Sequence, residues 1–161
     1  MNLSENDNQY FGLSFLKQII LLFWGIWFSI AFITNFTDLL HYQYNTTLPF
    51  RSGNYIALEK VIAIYNAPYY FLNMLFLMDI FVQGISATLF LIAAFCWWKR
   101  IYTWQTVNCA FIISLSLWAV FLIMEEIFIA YSYEAVHIRL FIFELISLIA
   151  IHLLPPFNTR R

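Results

Sequence analysis

Four runs of apolar residues, each long enough to cross a bilayer, decide what this chain can fold into. A helix rises about 1.5 Å per residue, so a hydrocarbon core of about 30 Å takes about 20 mostly apolar residues. The sequence supplies such runs over about 18–36, 68–98, 106–130 and 137–154. Together they occupy most of a chain of 161 residues, which suits one domain.

A soluble fold is excluded by what is left over. Hydrophobic residues make up 63% and charged residues 11% of the chain, with mean hydropathy +0.75. Soluble domains carry about 25% charged residues. Too few polar residues remain to cover four apolar helices, so their outer faces meet lipid. The expected fold is an all-α membrane protein: a four-transmembrane-helix bundle with a long first extramembrane loop that contains a short interfacial helix. Net charge is -1 and no basic patch interleaves with aromatics, so nucleic acid is not an expected partner. Membrane lipid is, and a membrane-protein partner or a second copy of the chain is open.

The N-terminal ten residues are polar, with neither the basic flank nor the cleavage site of a secretory signal, so the first apolar run reads as an uncleaved helix. The first loop, about 37–67, is long, and the other two are short, which makes the last three helices antiparallel neighbours. Within the long loop, Leu48-Pro49 and Ser52-Gly53-Asn54 are turn chemistry. Asn54 is placed to cap a short helix reaching Asn66, with Glu59 and Lys60 on its polar edge and Leu58, Val61, Ile62 and Tyr65 on its apolar one. Pro68 suits the first turn of the next span.

Basic residues set the orientation. Lys17, Lys99, Arg100, Arg160 and Arg161 fall on the side of the termini, and Arg51, Lys60 and Arg139 on the other. Five against three favours both termini in the cytoplasm. Trp97, Trp98 and Trp104 are then expected as an inner aromatic belt, and Tyr65, Tyr69, Tyr70, Tyr131 and Tyr133 as an outer one. Cys96 and Cys109 form no metal or redox motif and read as small core residues.

Polar residues inside these runs need a partner or a task, because even a low estimate for a charged group at a helix centre is about 2.5 kcal/mol. Asn35, Asp38 and His41 close the first span; Asp79, Gln83 and Ser86 lie on one stripe of the second. Glu125 and Glu126 end the third, and Glu134, His137, Arg139 and Glu144 belong to the fourth region, where Glu134 could lie in the loop. Under the orientation above, Asn35, Asp38, His41, Asp79, Gln83, Glu125, Glu126, His137, Arg139 and Glu144 gather toward the outer half, with His152 alone near the inner end.

Three chemistries compete for this cluster. Asp38-x-x-His41 and Glu134-x-x-His137 have the spacing that puts a carboxylate and an imidazole on adjacent turns, so Asp38, His41, Glu126, Glu134 and His137 are candidate ligands of a metal ion in a membrane oxidoreductase. Asp79, Gln83, Glu126 and Glu144 could instead form a proton or ion relay of a small transporter. The third possibility is an interhelical network in a non-catalytic membrane component or accessory subunit, with Arg139 paired to Glu126 or Asp38. Nucleophilic catalysis finds no support: there is no Gly-x-Ser-x-Gly, and Ser114 and Ser116 sit mid-helix, where packing is the usual role.

The ordered motifs Asn35-Phe36-Thr37-Asp38, Gln83-Gly84 and Glu125-Glu126-Ile127-Phe128 resemble an uncharacterised bacterial family of small four-helix integral membrane proteins. Members carry Asn-x-x-Asp after the first span, Trp-Glu in the second and Gly-Glu-Trp-Phe at the end of the third. Asn35, Asp38, Glu126 and Phe128 match; Val82-Gln83 stands where the family has Trp-Glu, and Met124-Glu125 departs from the usual glycine. The resemblance implies the four-helix fold and a bacterial inner-membrane location, and no activity.

Overall fold

A computed structural model describes residues 5–99 and 104–154, with side chains from residue 12. All regular secondary structure among the described residues is helical: α1 (Glu5–Tyr44), α2 (Asn54–Ile62), a 3-10 turn (Ala63–Tyr65), α3 (Tyr69–Trp98), α4 (Trp104–Ile127) and α5 (Tyr131–Leu153). Four of these are long and apolar enough to span a bilayer, over Gly12–Tyr44, Tyr69–Trp98, Trp104–Ile127 and Tyr131–Leu153. The expected four-helix membrane bundle with a short helix in its long loop is therefore the fold. One end of the bundle carries the long loop; the other carries the start of α1 and the end of α5. They are called here the loop end and the terminal end. Arg100, Pro155, Pro156, Arg160 and Arg161, used above for orientation or for the end of the last span, lie outside the described residues.

Helix boundaries differ from expectation where polar residues were read as ends. α1 does not stop at Asn35. The hydroxyl of Thr34 bonds back to the Ile30 carbonyl at 2.9 Å, and the Thr37 hydroxyl donates to the Phe50 carbonyl of the loop at 2.8 Å. Polar side chains satisfied this way leave the backbone ladder unbroken. α5 begins at Tyr131, so Glu134 is in its first turn and not in a loop. α4 ends at Ile127 because Ile129 adopts a left-handed conformation, φ 54°. The Ala130 amide then reaches the Glu125 carbonyl at 2.8 Å and the Ile129 amide the Glu126 carbonyl at 3.4 Å. This is a Schellman turn built on a β-branched residue instead of glycine.

Two apolar clusters fill the interior. Leu21, Trp24, Phe28, Phe90, Phe111, Trp118 and Ile151 belong to the larger, which reaches the terminal end. Leu39, Tyr55, Ile62, Leu72, Phe76, Ile80 and Phe128 form the other, under the long loop. Helices α1 and α3 come close where side chains vanish. A Cβ on Gly25 would meet the Leu91 side chain at 2.8 Å, and one on Gly84 would meet the Phe32 ring at 3.1 Å. α5 is the least embedded span, with Glu144 and Ile151 its buried residues.

The expected aromatic belts are half right. Tyr65, Tyr69, Tyr70, Tyr131 and Tyr133 are exposed at the loop end, as is Trp98 at the terminal end. Trp97 is buried and Trp104 packs against the core, because both rings enclose a lysine described below. The cysteines are free, and Cys109 is exposed on the bundle surface instead of filling the core.

Candidate functional site

The polar side chains do not meet in one cluster. They divide into four groups, each joining particular helices.

The first group ties the long loop to α1. Asp38 is almost fully buried and faces the start of α2. Its Oδ2 accepts the Tyr55 amide at 2.9 Å and the Ser52 hydroxyl at 3.1 Å. The first amides of a helix have no intrahelical acceptor, and a carboxylate beside them is doubly favoured, by hydrogen bonding and by the helix dipole. Asp38 thus caps α2 from another helix. Asn54 does not cap it, because residue 53 takes the N-cap position at φ 76° and the Asn54 amide side chain turns to Asn35. His41 Nδ1 donates to the Thr46 carbonyl at 2.6 Å. Deeper, Tyr55 donates its hydroxyl to Asn73 at 2.7 Å and shares a hydrogen bond with Tyr69. Burial first, and the Tyr69 hydroxyl second, push the Tyr55 phenol above its ordinary pKa.

The second group lies inside the membrane between α1 and α3, separating the two apolar clusters. Asn35 Nδ2 donates to Asp79 Oδ2 at 3.1 Å and to Gln83 Oε1 at 3.0 Å; Gln83 Nε2 donates to Asp79 Oδ1 at 2.7 Å. Asn54 Nδ2 donates to Asn35 Oδ1 at 2.9 Å, so the chain of bonds starts in the loop and runs inward. Gln83 and Asp79 are four apart, which puts both over the same face of α3.

The third group joins α4 to α5. Glu144 has no exposed surface. One of its oxygens is hydrogen-bonded to Ser114 and the other accepts the Trp118 indole N–H. Nearer the loop end, Glu125 pairs with His137 Nδ1. The His137 ring lies against Trp118 and Phe121, with centroids 5.9 and 4.8 Å away.

The fourth group was not legible as a site. Lys17, expected as a flanking charge, has no exposed surface. Its ammonium donates to the Leu154 carbonyl at 2.7 Å and stands 5.2 and 5.1 Å from the Trp97 and Trp104 ring centres. Trp97 in turn donates to the Ser14 hydroxyl at 2.9 Å, and the Trp104 ring packs 5.1 Å from His152. His152 is therefore not alone at this end.

Several expectations need correction. The metal set Asp38, His41, Glu126, Glu134 and His137 is not brought together; among the described residues no three His, Cys, Asp or Glu side chains stand close enough to share an ion. Asp38 and His41 are turned to the loop backbone, and Glu126 is exposed, because its neighbour Glu125 occupies the face that meets α5. The same geometry removes Glu126 from the relay Asp79–Gln83–Glu126–Glu144. Arg139 is exposed and, among the described residues, pairs with neither Glu126 nor Asp38. Ser114, read as packing, is a partner of Glu144. Its spacing of four from Trp118 was the available signal, since that spacing offers two donors to one point on a facing helix.

Outside these groups, a groove of about 610 Å³ between α1 and α3 is lined by apolar residues with Ser29 and Thr88, whose hydroxyls bond back to their own helices. Comparison with family models, curated proteins and solved structures finds no match for the chain.

Proposed function

We propose that this chain is a non-catalytic membrane component, an accessory subunit or assembly factor, whose in-membrane polar groups serve to hold its helices in register. One observation carries this reading: the polar side chains are distributed as separate ties, each between particular helices. Asn35–Asp79–Gln83 joins α1 to α3, Ser114–Glu144–Trp118 and Glu125–His137 join α4 to α5, and Lys17 joins α1 to the end of α5. Interhelical polar contacts in membranes average only about 0.6 kcal/mol, but they set which faces meet. Exposed apolar side chains around the outside, such as Ile26, Phe81, Phe95 and Phe143, suit lipid or a partner's helices.

The membrane in question is the bacterial inner membrane, with both termini in the cytoplasm. The sequence count of lysine and arginine, five on the side of the termini against three, and the family resemblance of the Asn35–Asp38 and Glu125–Phe128 motifs support this. Reporter fusions to each terminus test the orientation, and activity of an externally reporting fusion overturns it. Purification in mild detergent tests the function: a stoichiometric membrane-protein partner, or a second copy, is expected to stay bound. A lone monomer at all detergent concentrations would remove the accessory role.

A further inference from the structure

We infer that the lipid-facing side of α5 carries a binding site for the phosphate group of a membrane lipid, in the leaflet at the loop end, formed by Arg139 with the hydroxyl of Ser132.

Arg139 is a charge without a counter-charge in its own chain. It lies within the span Tyr131–Leu153 and is exposed. The ion pair found among the described residues is Glu125–His137, and Arg139 takes no part in it. A charged group among lipid tails is costly, and a guanidinium, unlike a carboxyl, does not neutralise inside a protein.

Helical geometry keeps the chain's acids out of reach. The face of α5 that meets α4 is marked by His137, which pairs with Glu125, and by Glu144. Arg139 is two residues from His137, about 200° around the helix at 100° per residue. It therefore points away from α4 and from both Glu125 and Glu126. Glu134, five residues away on α5 itself, is about 140° around from Arg139. Asp38 and Asp79 are buried against other helices, and Glu59 is on α2, which packs on α1 and α3.

The lipid-facing side changes character at Arg139. Ile146, Phe143, Ala135 and Ser132 all fall within about 40° of it around the helix. Toward the terminal end stand Phe143 and Ile146, 61% and 55% exposed, which suit acyl chains. Toward the loop end stand Ala135 and Ser132, both small and exposed. Tyr131 and Tyr133 are exposed beside Ser132, and tyrosine collects at the headgroup level. Helical side chains lean toward the N-terminus, which for α5 is the loop end. Arg139 thus lays its stem over the Ala135 methyl and lifts its guanidinium toward the headgroups.

Ser132 stands two turns, about 10.5 Å, from Arg139 along the axis. Its hydroxyl makes no hydrogen bond to a described residue. A phosphate between them is gripped by the guanidinium through two oxygens and receives the hydroxyl hydrogen at one of them. A carboxylate on a partner's helix is the other group that fits a guanidinium, but the lean toward the loop end carries Arg139 out of the depth where helices pack and into that of phosphates.

Native mass spectrometry of the full chain in detergent tests the site, with phosphatidylglycerol and diacylglycerol of the same acyl chains as probes. The native chain is expected to retain phosphatidylglycerol in preference to diacylglycerol. Arg139→Leu, an apolar residue on a lipid-facing surface, should weaken that retention severalfold, with Arg139→Gln as the second variant if leucine disturbs the fold. Arg139→Lys and Ser132→Ala should weaken it less. Lys60→Gln removes the same charge at the same end but outside the spans, and should leave retention unchanged. Inorganic phosphate at the lipid's concentration should not displace the lipid; displacement overturns the lipid as the source of the phosphate. Retention equal in the native chain and the Arg139 variants, or lost equally in Lys60→Gln, overturns the site. Release of a co-purified protein by Arg139→Leu, with lipid retention unchanged, assigns the guanidinium to a partner's acid and overturns it as well.

Discussion

The ammonium of Lys17 meets the carbonyl of Leu154 at 2.7 Å, so a residue near the start of the first helix closes the end of the last. The contact is flanked by two tryptophan faces, which attract a cation and shield it from lipid. It matters because α5 buries little else than Glu144 and Ile151.

Removing the charge should therefore loosen α5. Lys17→Met keeps the aliphatic stem but leaves the Leu154 carbonyl without its donor. A hydrogen bond from a charged group contributes about 1.5–3 kcal/mol, part of which offsets the cost of burying the ammonium. A net loss of about 1 kcal/mol is expected in thermal unfolding in detergent, with a shift in tryptophan fluorescence from Trp97 and Trp104. Unchanged stability and emission would mean that the contact carries no energy.

The Asn35–Asp79–Gln83 triangle should behave as a unit. Asp79→Leu strands two buried amide donors, and a loss of about 1–2 kcal/mol is expected. Replacing all three residues with leucine leaves no orphan within the triangle, and the exposed Asn54 amide that met Asn35 can turn to water, so the triple variant should lose less than the sum of the single ones. Unfolding curves of the full set of variants measure this coupling, and strict additivity would show three independent contacts.

Ile129 offers a change in the other direction. A left-handed backbone costs a residue with a Cβ about 1–2 kcal/mol, and more for a β-branched one. Ile129→Gly relieves that strain at the α4–α5 turn, partly offset by the freedom glycine gains when unfolded. A gain of about 0.5–1 kcal/mol is expected by denaturant titration; a loss would mean that the exposed Ile129 side chain contributes more than the strain costs.

Alkaline pH should act through Tyr55. Its phenol pKa is raised in the fold, above an unfolded value of about 10, by burial and then by the Tyr69 hydroxyl. Folding favours the neutral phenol, so this contribution is intact below about pH 10 and is lost as pH rises toward the folded value. Tyr55→Phe retains the stacked contact with Tyr42, at 4.7 Å, and should flatten the alkaline part of the stability profile. Spectrophotometric titration should show one tyrosine fewer ionising late in the variant than in the native chain.

Hydropathy determined the four spans and the long loop after the first, because the bilayer demands a fixed length of apolar helix and little else, while turn residues and a two-sided edge marked the loop's short helix. It also singled out Asp79, Gln83 and Glu144, since a polar side chain in such a run is costly wherever it points. Partners were beyond its reach. The spacing Asp38-x-x-His41 is the same whether the two residues hold an ion or, as here, cap α2 and bind the loop backbone. Glu125 and Glu126 are adjacent and chemically alike; only the rotation of α4 against α5 decided that Glu125 meets His137 while Glu126 stays outside. Lys17 looked like a membrane-flanking charge until packing brought Trp97, Trp104 and Leu154 around it. Tertiary structure decided these pairings because they join helices distant in sequence, and the helix period constrains a side chain's face without naming what lies opposite.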